Sequence, residues 1–285
     1  IRLTAGGHTD EPGSAGTNPA VGAVIYYSLV EAPAPDTEIS LSIYESQSVD
    51  PIWTWTRKSE SADDEESKDD LNAPPDLRLL TAEQGLNRFT WDLRYPGMER
   101  FDKLIMWADM RDGPKAVPGE YRATLTVGDV TEEATFDVIP DPRSQSEHTD
   151  YQTQFDFIIG TRDLLSRAHV AIRKVRKLRT QLDVLKARLE AKPDGDEATA
   201  GLIEEIDLIV ETFTPIEESL YQTQNESRQD PLNYPIRLND KLTSLMGTVD
   251  VGDARPTDSA IAVREEIGAA IESELELLDV VWEEN

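Results

Sequence analysis

Two rhythms divide the chain. Up to about residue 140, apolar and polar residues alternate in short runs separated by Gly, Pro, Asn and Asp, the period-2 pattern of half-buried strands. Six runs stand out: GAVIYYSL (22–29), EISLSIYES (38–46), IWTWTRK (52–58), NRFTWDLRY (87–95), YRATLTV (121–127) and TEEATFDVI (131–139). Gly128-Asp129 between the last two predicts a hairpin, and Pro118-Gly119 predicts the turn leading into it. Short strands in this number, with no helix among them, predict an antiparallel sandwich.

The period changes after IPDPRSQSEHTD (139–150), whose two prolines suit a linker. Ile158, Ile159, Leu165, Ile172, Val175 and Leu178 recur at spacings near three and four, and Leu182, Leu185 and Leu189 extend the stripe. One helix over about 150–191 follows, ~60 Å long at 1.5 Å per residue, with a stripe that another element must cover. A second stripe runs from Leu202 through Ile206, Ile209, Phe213 and Ile216 to Leu220, with a kink expected at Pro215. A short helix carrying Leu238, Leu242 and Met246 is predicted to end at Gly247. A last helix from Ile261 to Trp282 has Thr257 or Asp258 as its cap. The expected architecture is therefore α+β, with a β-sandwich over residues 1–143 and an elongated antiparallel helical bundle over 144–285.

Charge narrows the partners. Among 285 residues, 56 Asp and Glu stand against 28 Lys and Arg, a formal net charge of -28. A field of that sign repels phosphate backbones, so no nucleic-acid partner is expected. No apolar run is long enough to predict a membrane span. Cys is absent, which removes disulfides, thiolate nucleophiles and zinc-thiolate sites. A first residue of Ile, with no leader before it, suggests a mature protein or an excised fragment. IRKVRKLR (172–179) is a basic island, expected to lie as a solvated face complementing acids such as Glu204, Glu205, Glu211, Glu265 and Glu266.

The densest candidate for chemistry is GLNRFTWDLRYPG (85–97), which sets Arg88, Asp92 and Arg94 around Phe89, Trp91 and Tyr95. Together with Trp53, Trp55 and Trp107, Trp91 could form an aromatic platform for sugar rings. The competing reading buries the indoles in the sandwich, because Trp53 and Trp55, like Phe89 and Trp91, share one strand face. Asp92, Asp102, Asp109 and Asp112 could supply a carboxylate pair for glycoside cleavage, although acids are so abundant that such clusters arise everywhere. His8, His148 and His169 have no metal-ligating or triad spacing, and no nucleotide-binding glycine loop occurs. SESADDEESKDD (59–70) reads as a solvated loop, lacking the spacing of a calcium loop; PDGDEATAGLIEE (193–205) lacks that spacing too and reads as the turn into a helix. SVDPIWTW (48–55) matches an Asp box at Ser48, Asp50, Thr54 and Trp55, but Ile52 occupies the position of its turn glycine and no second copy appears. No catalytic residue, metal site or cofactor is therefore expected.

Collinear segments carry a broader resemblance. NPAVGAVIYYSL, NRFTWDLRYPG, GPKAVPGEYRATLTVGD, FDVIPDPR, DYQTQFDFI and NYPIRLNDKLTSLMGTVDVGDARPTDSA together resemble the C-terminal region of large bacterial BNR-repeat, sortilin (Vps10)-like proteins often labelled glycosyl hydrolases. The acidic insert at 59–70 is the main stretch outside the match. The resemblance implies an Ig-like or fibronectin-like sandwich, akin to the FlgD-type module, followed by a helical appendage. It also implies β-propellers upstream, in which any glycosidase activity would reside, so no family catalytic residue maps onto this chain. The expected role is a non-catalytic accessory module acting between domains or on a protein partner, in an extracellular, periplasmic or cell-surface setting. The alternative is a carbohydrate-binding module with Trp53, Trp55, Trp91 and Trp107 as its platform.

Overall fold

The computed structural model describes residues 21–57, 80–108, 110, 112–192 and 197–284. Elements follow in the order β1 (Ala23–Leu29), β2 (Ile39–Glu45), β3 (Trp53–Thr56), β4 (Gly85–Trp91), β5 (Gly119–Val127), β6 (Val130–Val138), α1 (His148–Glu190), α2 (Glu197–Leu220), α3 (Leu238–Val249) and α4 (Asp258–Glu284). A one-turn 3₁₀ segment at Asp230–Leu232 precedes α3. The chain is α+β, with two antiparallel sheets and four α-helices among the described residues.

All six period-2 runs form strands. The pair β1-β4 makes one sheet and β3-β2-β5-β6 the other. The β5-β6 hairpin is in register from Gly119↔Val138 to Val127↔Val130. Gly128 takes a positive φ of 56°, as the first loop residue of a II′ turn requires. One core serves both sheets: Tyr27, Phe89 and Trp91 from the first meet Leu41, Ile43 and Tyr121 from the second. The acidic insert, His8 and residues 193–196 lie outside the described residues.

The chain divides into two compact units, one of residues 1–97 and 111–155, the other of 98–110 and 156–285. A single boundary at 143 makes no provision for the short excursion 98–110, which groups with the helices. The first turns of α1 belong with the β unit and the remainder of that helix with the helical unit. Within the helical unit α2 runs antiparallel to α1, as Arg179–Glu217 and Lys186–Asp207 require. α4 runs parallel to α1, with Arg264 at Thr161 and Arg167 at Glu272. Gly160 makes room for that approach, since a Cβ there would lie 2.7 Å from the Arg264 guanidinium.

Three local expectations receive a physical answer. Thr257 caps α4, its Oγ1 accepting from the Ala260 N–H at 3.1 Å. Pro215 lies inside α2. α3 does not stop at Gly247 but continues to Val249, where the Asp250 N–H closes on the Met246 carbonyl. Gly247 is a packing glycine rather than a cap: the Met110 sulfur lies 3.0 Å from where its Cβ would be. The left-handed glycine comes later, at Gly252 (φ 78°).

Candidate functional site

The aromatic stretch that suggested a sugar platform closes a neck in the β unit. After β4, Asp92 accepts the Arg94 N–H through Oδ1 at 3.0 Å, and Leu93 takes a left-handed φ of 64° with its side chain buried. The chain then pairs across a long loop. Ala116 N–H donates to the Leu93 carbonyl at 2.7 Å, Tyr95 N–H to Pro114 at 3.0 Å, and Gly113 N–H to Tyr95 at 3.0 Å. Both Trp91 and Trp53 donate their indole N–H to one acceptor, the Arg94 carbonyl, at 3.0 and 2.9 Å. The Arg94 guanidinium crosses to the Gly113 carbonyl at 2.9 Å. Only glycine fits at Gly113, where a Cβ would sit 2.2 Å from the Pro96 carbonyl oxygen.

Three of the four predicted indoles, Trp53, Trp55 and Trp91, belong to one core of the β unit. Trp91 has no exposed surface and Trp55 is 8% exposed, packed against Phe89 at 4.6 Å. Half-buried Trp53 stacks on Trp55 at 5.7 Å. Trp107 is exposed but belongs to the helical unit. Beside the neck, Tyr95 donates its hydroxyl to Glu45 at 2.5 Å and packs edge-on against Phe155 at 4.8 Å. Burial, reinforced by the Glu45 carboxylate, holds the phenols of Tyr95 and Tyr121 protonated far above the ordinary range. Ser48 of the Asp-box match forms a local turn, its hydroxyl accepting from Asp50 N–H at 3.1 Å.

The four carboxylates considered for glycoside cleavage are also divided. Asp92 is engaged with the Arg94 N–H, Asp102 lies in the helical unit, Asp112 lies in the β unit, and Asp109 is outside the described residues.

A buried polar cluster in the helical unit, with His169, Asn239 and Asp240, surrounds the excursion 98–110, which sequence periodicity did not single out. Met98, Phe101, Leu104 and Met106 from this stretch enter the helical core. Such backbone has no ladder of its own, so its polar groups need side-chain partners. Asp240, 3% exposed in the first turn of α3, accepts the N–H of Trp107 at 2.7 Å and of Ala108 at 3.0 Å. The Tyr221 hydroxyl accepts the Ile105 N–H at 3.2 Å, and the Ser166 hydroxyl the Glu99 N–H at 3.0 Å.

His169 completes the anchorage. Its Nδ1 lies 2.6 Å from the Glu99 carbonyl; a carbonyl can only accept, so Nδ1 carries the hydrogen. Nε2 then accepts from the Asn239 amide at 3.2 Å. Burial pushes this imidazole down to about 4, with Arg100 and Arg173 pushing the same way against the Glu99 carbonyl. His169 is a neutral structural ligand at physiological pH. Of the other histidines, His148 brings Nε2 to 3.1 Å from the Pro118 carbonyl in the β unit.

The basic island serves the same segment. Arg176 lies over the Phe101 and Tyr221 rings at 4.6 and 5.0 Å and donates to Glu217 at 2.7 Å. Arg179 donates to the other oxygen of Glu217 at 2.6 Å, and Arg173 reaches the Arg100 carbonyl and the Glu99 carboxylate, both at 3.3 Å. Among the described residues the ion pairs of Arg173, Arg176 and Arg179 run to Glu99 and the buried Glu217 rather than to Glu204, Glu205, Glu211, Glu265 or Glu266. A carboxylate with a side chain 1% exposed demands bidentate compensation, whereas exposed acids are satisfied by water.

One groove opens on this unit, about 550 Å³ in volume, with Val170, Ala171 and Lys174 of α1 facing Leu275, Leu278 and Trp282 of α4. Among the described residues no group of three or more His, Cys, Asp or Glu converges to hold a metal ion. Among the same residues no helix is long and apolar enough to cross a membrane. Comparison with protein-family models, curated proteins and solved structures returns no match for this chain.

Proposed function

We propose that this chain is a non-catalytic accessory module of a larger BNR-repeat, sortilin-like propeller protein, working in interdomain or protein–protein interaction outside the cytoplasm. In this reading the two sheets are an Ig-like or fibronectin-like sandwich and the four helices an elongated bundle in which α2 runs against α1 and α4. The observation that carries it is the use made of the chain's chemically capable groups. His169, Asp240, Tyr221, Arg176 and Arg179 are committed to the backbone and rings of 98–110 or to buried Glu217, a pattern of structural anchorage. The indoles of Trp53 and Trp91 are likewise committed to one backbone carbonyl, which favours interaction between proteins over glycan binding.

The test uses the polypeptide encoded immediately upstream of this chain. Repeated Asp boxes are expected in it, and the separately produced propeller region should bind this chain in a pull-down with micromolar or tighter affinity. An upstream sequence without such repeats, or propellers that show no contact with this chain, would contradict the reading. So would glycoside turnover by this chain alone that one carboxylate substitution abolishes.

A further inference from the structure

The larger sheet is protected at one edge and open at the other. β3 ends it on one side with 4 residues, and an edge that short offers little backbone to a partner. β6 ends it on the other side with 9, in unbroken register with β5 and with no Pro, Lys or Arg. Among the described residues no strand pairs with its outer edge. The rest of the ladder fixes where its backbone groups point. Gly128 N–H donates to the Glu38 carbonyl and Ser46 N–H to the Glu120 carbonyl, so even-numbered residues of β5 bond to β2 and odd-numbered ones to β6. Their β6 partners are even-numbered, which turns the N–H and C=O groups of Thr131, Glu133, Thr135 and Asp137 outward. All four residues are exposed.

Charge and burial describe what this edge accepts. On the face turned away from the core, Glu133 is held by Arg122 of β5 at 2.7 Å, whereas Asp137 stands directly opposite Glu120. That is a non-hydrogen-bonded pair, in which side chains approach most closely, and like charges there destabilise the sheet. On the core-facing side Val130 is 63% exposed, Glu132 and Ala134 are exposed and Phe136 is half-buried, so the cover of the core does not reach along β6. A strand laid against β6 thus meets acid on one face and uncovered apolar surface, with Glu132 within it, on the other. Cations opposite Glu133 and Asp137 answer the first, and apolar residues opposite Ala134 and Phe136 the second. A second copy of β6 supplies no cation, because Glu132, Glu133 and Asp137 are its only charges.

We infer that the outer edge of β6 is a strand-addition site for an extended segment of a partner protein in which Lys or Arg alternates with apolar residues. Backbone hydrogen bonds to Thr131, Glu133, Thr135 and Asp137 supply the affinity, and the alternation supplies the selectivity. The inference rests on the reading of this chain as an interaction module. Its test contains no propeller, so a chain that binds propellers but no strand, or a strand but no propellers, separates the two.

The probe is the capped peptide Val-Lys-Val-Lys-Val-Lys-Val-Lys-Val, titrated into the full chain at about 0.15 M salt. Saturable binding in the range of tens to hundreds of micromolar is expected. The amides of Thr131, Glu133, Thr135 and Asp137 should exchange freely in the chain alone and slow by about tenfold or more at saturation. A peptide of the same composition with its lysines in one block should bind at least about tenfold more weakly, which separates strand pairing from attraction to a net charge of -28. Thr135→Pro removes an outward N–H that the β5 ladder does not use, so it should keep the circular dichroism spectrum and weaken binding about tenfold. Asp137→Lys should weaken it about fivefold and needs no proline in the strand. Equal binding of the two peptides, edge amides unprotected at saturation, or an affinity unmoved by both variants would overturn the proposal. So would reversible dimerisation of the chain that Thr135→Pro abolishes, since the edge would then belong to a second copy.

Discussion

In the β unit most large core side chains come from strands, with Leu41, Ile43, Phe89, Trp91 and Tyr121 at alternate positions along them. The helical unit takes Met98, Phe101, Leu104 and Met106 from a stretch with no repeating structure, and surrounds them with Phe157, Leu165, Ile172, Leu220, Leu242 and Met246. The β unit therefore satisfies its core backbone largely by ladders. In the helical unit, the backbone of 98–110 depends on Asp240, Tyr221, His169 and Ser166 for that service. A core completed by a loop is as dry as one completed by a strand, but it rests on a few named polar groups rather than on a repeating pattern.

Substitutions can break this contrast in order of severity. Phe101→Ala, which empties the ring between His169 and Tyr221, should destabilise the helical unit by about 3–5 kcal/mol, read by urea denaturation followed at 222 nm. Loss of the carboxylate in Asp240→Ala removes the acceptor of the part-buried Trp107 and Ala108 N–H groups and should cost on the order of 1–3 kcal/mol in the same assay. An equivalent result for Asp102→Ala, an exposed residue of the same segment, would show that this assay does not separate anchors from bystanders.

The pH dependence sharpens the same comparison. The folded state holds His169 at about 4, below the ordinary value of 6.5, so between these limits the unfolded chain binds a proton that the folded chain refuses. The stability is complete above pH 6.5 and is lost as pH falls towards 4, by about 3 kcal/mol. His169→Gln should lower stability at pH 7 and remove most of that slope. A slope unchanged by the substitution would place the titrating group elsewhere. At the mild end, Trp107→Ala should change stability by no more than about 0.5 kcal/mol, because its indole is 56% exposed.

Much of the frame was legible in the pattern of residues. All six strands follow from alternation, and the hairpin at Gly128-Asp129 from turn chemistry. The helices follow from apolar stripes, with α1 at His148–Glu190 against an expectation of about 150–191. Local rules reach this far because each element is decided by its own side chains. They fail where the partner is distant in sequence. MERFDKLIMW has no strand or helix period, and the only signal for its burial is a density of large apolar residues between Pro96-Gly97 and Gly113-Pro114, unusual for a solvated loop.

The candidate site was less legible for the same reason. Trp53 and Trp91 look like a platform until the Arg94 carbonyl that receives both indoles is located, 41 residues from one and three from the other. Gly247 reads as a helix stop until Met110 is seen against it. Arg173, Lys174 and Lys177 of the basic island are exposed, as a solvated face requires; the buried partner of Arg176 and Arg179, Glu217, was not legible because it lies on another helix and is one acid among 56.

Native-state hydrogen exchange of individual amides tests most directly whether 98–110 is core rather than loop. The amides of Ile105, Trp107 and Ala108, which lie outside any helix or strand, should be protected to within about tenfold of interior α3 amides such as Leu242 and Met246. Exchange at the rate of an open surface loop at those three positions, with α3 still protected, would contradict the account.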